Sequence, residues 1–196
     1  ERPERWLLWQ TNQATDDHYG VELTAGGKTA VWLAGSVAAP PHSRRGGHRF
    51  FTFAFEGGEL ECAAFEPSGD FRQVVDQLVP GDALEVCGSL EAGVLKLEKL
   101  RVVTLAPRQR KPPNPPCPEC GARTHSAGRD AGYRCRPCGV RLPAPVPEAV
   151  VPTLVLGWYD PPASARRHLV RPARLMEPAG AVQAAAGPPG SVPRVL

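Results

Sequence analysis

Five short runs of alternating apolar and polar residues, one helical stretch between the third and fourth, and two C-x-x-C pairs beyond a proline-rich break predict a mainly β chain. The expected architecture is a five-stranded OB-fold β-barrel with one short helix, followed by a zinc ribbon. A chain of 196 residues is long enough for one substantial core and a smaller module, but short for two large globular domains. Its 23 prolines cluster in residues 107–118, 143–152 and 178–193, which marks breaks and linkers. The expected division is a connecting segment over 1–27, the OB-fold domain over 28–106 and a proline-rich linker over 107–116. The zinc ribbon and a following strand then occupy 117–160, a basic segment 161–177 and a disordered tail 178–196.

The strands are read from period-two alternation. "KTAVWLAGSVAAP" supplies the first, "HRFFTFAFEGGELECAAFEP" two more hinged at Gly57-Gly58, and "ALEVCGSLEAGVLKLEKLRVV" the last two, hinged near Ala92-Gly93. Between the third and fourth, "SGDFRQVVDQLVPGD" places Phe71, Val74, Val75 and Leu78 at helical spacing. Ser68 or Asp70 is positioned to cap that helix, and Pro80-Gly81 to end it. The link between the first two strands, "PHSRRGGHRFF", offers Arg44, Arg45, His48 and Arg49 beside Phe50 and Phe51. Alternation turns one of the two rings inward; an outward ring beside arginines can stack on a base, and burial of both is the competing reading.

Residues 1–100 carry 9 basic and 15 acidic side chains, whereas residues 101–145 carry 9 and 2. The basic excess of the second half argues for a polyanionic partner, nucleic acid first, against the alternative of a merely solvated face. No apolar run approaches the roughly 20 residues that span a bilayer, and "ERPERWLLWQ" lacks a signal-peptide layout. A cytoplasmic chain without a membrane partner is expected.

In "CPECGARTHSAGRDAGYRCRPCG", Cys117, Cys120, Cys135 and Cys138 form two C-x-x-C pairs with 14 residues between them. Each pair is followed by a glycine, Gly121 or Gly139, and makes a tight turn that aims two thiolates at one point; two such turns complete a tetrahedral zinc shell. Two disulfides are the alternative, disfavoured by the absence of any secretory signature. Four sulfurs leave no open coordination position, so one structural zinc per chain is expected and no catalytic metal. Arg123, Arg129, Tyr133, Arg134 and Arg136, interleaved with the cysteines, form a candidate surface for phosphates and bases. Cys62 and Cys87 read as small buried hydrophobes. Further along, "VVPTLVLGWYDPP" reads as a strand able to pair with the ribbon, and "SARRHLVRPARL" adds Arg166, Arg167 and His168 as candidate RNA contacts.

The polar run "TNQATDDH" near the front has two readings. Asp16, Asp17 and His18 have the chemistry of a metal or acid/base cluster. Strand neighbours point to opposite faces, however, so a turn or interface that ties down backbone is favoured.

"WQTNQATDDHY", "GGHRFFTF", "FEPSGDFRQVVDQLVPGD", "GSLEAGVLKLEKL", the cysteine segment and "GWYDPPASARRHL" occur in an order that resembles the C-terminal half of the archaeal isoleucine-tRNA agmatinylcytidine synthetase family. The resemblance runs from about Trp6 to about Leu175 and implies an OB-fold and zinc ribbon that hold tRNA. It implies that members use ATP to activate the wobble cytidine of a CAU anticodon and condense it with agmatine. It also implies a catalytic half ahead of these modules, separate or upstream, so that the chain alone is expected to be non-catalytic. The sequence holds no glycine-rich phosphate loop. A single-stranded DNA-binding protein with the same two modules, and a zinc-stabilised protein-interaction module, are the alternatives.

Overall fold

The computed structural model describes residues 5, 7–20, 29–128, 131–144 and 146–176. The five expected strands are present as β1 (Ala30–Arg44), β2 (His48–Phe55), β3 (Gly58–Ala64), β4 (Ala83–Glu91) and β5 (Val94–Thr104), with α1 (Phe71–Asp76) between β3 and β4. Shorter strands follow: β6 (Arg108–Arg110), β7 (His125–Ser126), β8 (Tyr133–Arg134), β9 (Arg141–Leu142), β10 (Glu148–Val150) and β11 (Gly157–Tyr159), then a 3-10 turn at Ala173–Leu175.

The chain divides into two compact units, Glu1–Ala106 with Leu154–Leu196, and Pro107–Thr153. In the first, β1 pairs antiparallel with β2 and β4, β2 with β3 and β4 with β5, while β3 and β5 pair in parallel and close the ring. A closed five-stranded barrel with the helix between the third and fourth strands is the OB-fold expected from the sequence. Closure leaves no unpaired edge among these strands, and one face of each is committed to the core.

That core follows the alternation. Phe51 and Phe53 of β2, Val31 and Leu33 of β1, Leu84 and Val86 of β4, and Leu95 and Leu100 of β5 are buried together, with Phe71, Val75 and Leu78 of the helical segment against them. The tight coiling of the barrel has glycine at its closest approaches. A Cβ on Gly88 would lie 2.1 Å from the Lys96 carbonyl oxygen, and one on Gly35 the same distance from that of Ala54.

Three details depart from the sequence expectation. Strand β1 continues past Pro40 to Arg44, and it does so through two register shifts, between Val37 and Ala39 and between Ala39 and His42. Bulges are where a strand accommodates prolines that have no N–H to give to the ladder. The helix lacks a side-chain cap: Asp70 already has helical dihedrals (φ −65°, ψ −17°), so neither it nor Ser68 closes the first turn, and Asp70 instead accepts a hydrogen bond from Gln73. Finally, β11 pairs with β5 of the barrel, Trp158 opposite Arg101, and not with the ribbon. The indole of Trp158 finds an apolar neighbour on the barrel, packing edge-on to Trp32 at 5.2 Å.

The second unit is built from a two-stranded sheet, β6 with β10, and a three-stranded antiparallel sheet ordered β7-β8-β9. No described helix is long and apolar enough to cross a membrane.

Candidate metal centre and nucleic-acid interface

The two C-x-x-C segments fold into near-identical knuckles. Cys117 donates its N–H to the Ala122 carbonyl while Gly121 donates to the Cys117 carbonyl; Cys135 donates to Val140 while Gly139 donates to Cys135. Gly121 and Gly139 take φ of +70° and +77°, the left-handed conformation that lets each chain turn back beneath its sulfurs. The four Sγ atoms all lie within 4.8 Å of one another, with Cys117–Cys138 and Cys120–Cys135 at 3.4 Å and Cys120–Cys138 at 3.7 Å. Four sulfurs about 2.3 Å from a zinc ion would be about 3.8 Å apart, whereas a disulfide needs about 2 Å. All six cysteines are free thiols.

The electrostatics fit the same occupant. Backbone N–H groups of Cys120 and Glu119 aim at the Cys117 sulfur and bring its thiol down to about 7. At Cys138 the Val140 N–H also favours the thiolate, but the neighbouring sulfurs of Cys135 and Cys117 outweigh it and leave the thiol at about 12. Four thiolates crowd too closely to ionise together without a cation, and a dication resolves that repulsion. The site therefore takes a structural zinc with a closed sulfur shell. His125 contributes nothing to the shell; it lies exposed on β7.

Around this centre the structure sorts the candidate RNA contacts. Arg134 and Arg136 are exposed beside the second knuckle and Arg123 beside the first. Tyr133 is a correction: it is only 1 % exposed, with its ring under the Lys111 ammonium at 5.3 Å, so the ring is not open to a base. It follows Gly132 and precedes Arg134 on a two-residue strand, so parity turns it inward when Arg134 turns out. Arg129 lies outside the described residues. Register also reveals a residue that spacing alone does not single out. Arg134 faces His125 across β7-β8 and Arg141 across β8-β9, so His125, Arg134 and Arg141 form one exposed row across the sheet. Among the described residues, Arg123, Arg134, Arg136 and Arg141 have no carboxylate partner. The sequence signal for Arg141 is its charge alone; its place depends on a strand pairing.

On the barrel unit, most candidates are already engaged. Arg44 is bonded to Glu61, and Arg49 to Asp76 and the Gly47 carbonyl. His48 accepts the Glu66 N–H at its Nδ1 (3.0 Å). Arg45 is exposed at the tip of the β1–β2 turn. Phe51 is in the core and Phe50 is 5 % exposed, so neither ring is open to a base. The C-terminal pair is engaged as well. Arg166 bonds Asp160, and Arg167 bonds both Ser89 and Glu98, each at 2.9 Å. Half-buried carboxylates on the barrel wall need cationic partners, and these two arginines supply them. His168 remains exposed.

The partners of Arg167 also explain "TNQATDDH". Asp16 is buried, bonded to the fully buried ammonium of Lys99, and it accepts the Arg171 N–H at 2.8 Å. Lys99 sits among the rings of Trp158, Trp32 and Tyr19, at 5.0, 5.3 and 5.7 Å. His18 Nε2 lies 2.9 Å from Glu98, which also accepts the hydroxyls of Tyr19 (2.8 Å) and Ser89 (2.7 Å). Burial pushes the Glu98 carboxyl up, but hydrogen bonds from His18, Ser89, Arg167 and Tyr19 together hold it below its ordinary value. Ala14 and Asp16 take positive φ, 56° and 66°, and their N–H groups are held by the carbonyls of His168 and Leu169. Asp16 and His18 thus belong to a clasp binding the front segment and the C-terminal segment to the barrel wall.

Comparison with known proteins agrees with this arrangement. A family model described as the TiaS C-terminal zinc ribbon domain matches residues 114–150. The isoleucine-tRNA 2-agmatinylcytidine synthetase TiaS of Methanocorpusculum labreanum is 42 % identical over 180 residues, which is 90 % of this chain and 42 % of that protein. The chain belongs to the TiaS family. The TiaS of Archaeoglobus fulgidus is 39 % identical over 88 % of the chain and 41 % of its own length. Two solved structures superpose with a TM-score of 0.67 over 86 % of the chain: apo TiaS, at 39 % identity and covering 41 % of that protein, and a complex of TiaS with an isoleucine tRNA and ATP, at 36 % and 40 %. The chain therefore spans about two fifths of the length of the TiaS proteins it matches.

Proposed function

We propose that this chain is the tRNA-holding part, barrel plus zinc ribbon, of an isoleucine-tRNA agmatinylcytidine synthetase that modifies the wobble cytidine of a CAU anticodon with ATP and agmatine. Activation and condensation are assigned to sequence corresponding to the unmatched three fifths of its TiaS relatives, so the isolated chain is non-catalytic. It works in the cytoplasm.

The observation that carries the reading is the row His125–Arg134–Arg141. Like charges placed directly opposite one another weaken a sheet. A ribbon only two residues deep per strand tolerates that arrangement when a polyanion is its partner, because phosphates then neutralise the row and release counterions. Arg123 and Arg136 are exposed in the same unit, and Arg44, Arg45, Arg167 and His168 are exposed on the barrel unit. The solved complex of TiaS with an isoleucine tRNA and ATP supports RNA as that partner.

The test is the affinity of the zinc-loaded chain for an isoleucine tRNA transcript across a salt series, against a single-stranded DNA oligomer of equal length. Tighter binding of tRNA, falling linearly with log salt, is expected. Equal affinity for both favours the single-stranded DNA reading, and no binding even at low salt favours a protein-interaction module. Formation of modified tRNA by the chain alone with ATP and agmatine would overturn the non-catalytic assignment.

A further inference from the structure

The outer wall of the barrel carries a feature that phosphate binding leaves unexplained. His42 of β1 faces Phe50 of β2, Phe50 faces Ala63 of β3, and Ala63 faces Lys96 of β5. These four make a row across four strands, on the side of β2 opposite the core residues Phe51 and Phe53. Phe50 is covered by its neighbours. The His42 imidazole lies near-parallel to its ring (5.8 Å, 23°), the Arg44 guanidinium lies 4.0 Å from its centroid, and Phe65 packs edge-on at 5.8 Å. Lys96 closes the far end, 5.7 Å from the Phe65 ring.

His42 and Arg44 are themselves exposed. Both carry flat groups, the imidazole near-parallel to the Phe50 ring and the guanidinium over it, so the buried ring backs two exposed planar side chains. An arginine or imidazole plane fixed in this way is a surface on which an unpaired base stacks. The charges nearby are largely compensated, Arg44 by Glu61 and Lys96 by Glu91. A phosphate track would leave them unpaired, as the ribbon row does; a stacking surface does not need them free.

We propose that His42 and Arg44, backed by Phe50, form a platform for an unpaired RNA base, with Arg45 of the adjoining turn beside it. This rests on the tRNA reading, but its signature differs: the platform responds to bases and hardly to salt, whereas the ribbon responds to salt and not to bases.

The experiment compares a single-stranded RNA decamer with an abasic ribose-phosphate decamer, using the full zinc-loaded chain. Wild type should prefer the base-bearing oligomer. His42→Ala should reduce that affinity roughly five- to a hundredfold, leave the abasic affinity and the salt slope unchanged, and unfold at the wild-type temperature. Arg44→Lys keeps the charge and removes the plane, and should lose the same preference. If both variants keep the wild-type preference while tRNA still binds, the platform is refuted and the tRNA reading stands. Failure of the wild type to bind either tRNA or the decamer overturns both.

Discussion

The two units solve the problem of holding a fold by opposite means. The barrel buries a continuous apolar cluster inside its strands and a second, smaller one outside them, where Tyr19, Ala30, Cys87 and Val170 pack with Trp32 and Trp158. The ribbon has, among its described residues, little more than Tyr133, Thr124, Cys117 and Cys135 out of solvent. So small a core cannot offset the entropy of ordering its loops. The metal must supply the difference, and the outer surface is left free for charge. Two units in one chain should therefore fail separately, under different insults.

The largest separation is expected from the metal. Cys120→Ser or Cys138→Ser should abolish zinc binding, to be read by elemental analysis against an expected one zinc per chain in the parent protein, and unfold the ribbon. Structural zinc supplies about 10–16 kcal/mol in zinc-finger peptides. The barrel should keep its cooperative thermal transition. A variant that lost zinc and melted as one with the barrel would break the comparison.

The reverse experiment acts on the clasp. Asp16→Asn keeps the shape but leaves the Lys99 ammonium buried without its counter-ion. Removing one partner of a buried ion pair costs about 3–5 kcal/mol, and thermal or urea unfolding of the barrel should show it while zinc content stays at one per chain.

How much of this can be read from the chain depends on how far apart the partners are. The knuckles are legible because both ligands of each pair lie within four residues, and the five strands because alternation is local. The clasp is not. Asp16 meets Lys99 and His18 meets Glu98 across some eighty positions, and no periodicity links them. Asp16 and His18 resemble acid/base chemistry because the same residue types serve both ends. The ion pairs of Arg166 and Arg167 are hidden for a similar reason: a charge is visible in sequence, its partner is not. The attachment of β11 to the barrel depends on Trp158 finding Trp32, and the burial of Tyr133 on which side of a two-residue strand faces inward.

Acid sharpens the comparison at a smaller scale. Glu98 in the folded barrel holds its proton less tightly than an unfolded glutamate, whose pKa is about 4.3. The unfolded chain therefore binds more protons in that range, and the barrel's share of stability from Glu98 is full above it and lost as pH falls through the lower, folded value. Glu98→Gln should flatten the fall in barrel stability below about pH 4.5 while leaving the acid-driven release of zinc from the thiolates in place. An unchanged slope in the variant would mean that other carboxylates control the acid response.

The smallest effect on folding is expected where the largest effect on binding lies. In the ribbon, Arg134 faces Arg141 and His125 with no described carboxylate to relieve them. Replacing Arg134 and Arg141 together by Gln removes that repulsion, so the zinc-loaded ribbon should become slightly more stable, by about 0.2–1 kcal/mol. If the row holds phosphates, tRNA affinity should fall in the same protein, and the slope of log affinity against log salt should shrink by about 0.7–0.9 for each phosphate no longer neutralised. Opposite signs in one variant are the diagnostic: a solvated face would gain stability and lose no affinity, and a row needed only for folding would lose both. A surface that is worse for the fold than glutamine and better for the ligand is one kept for the ligand.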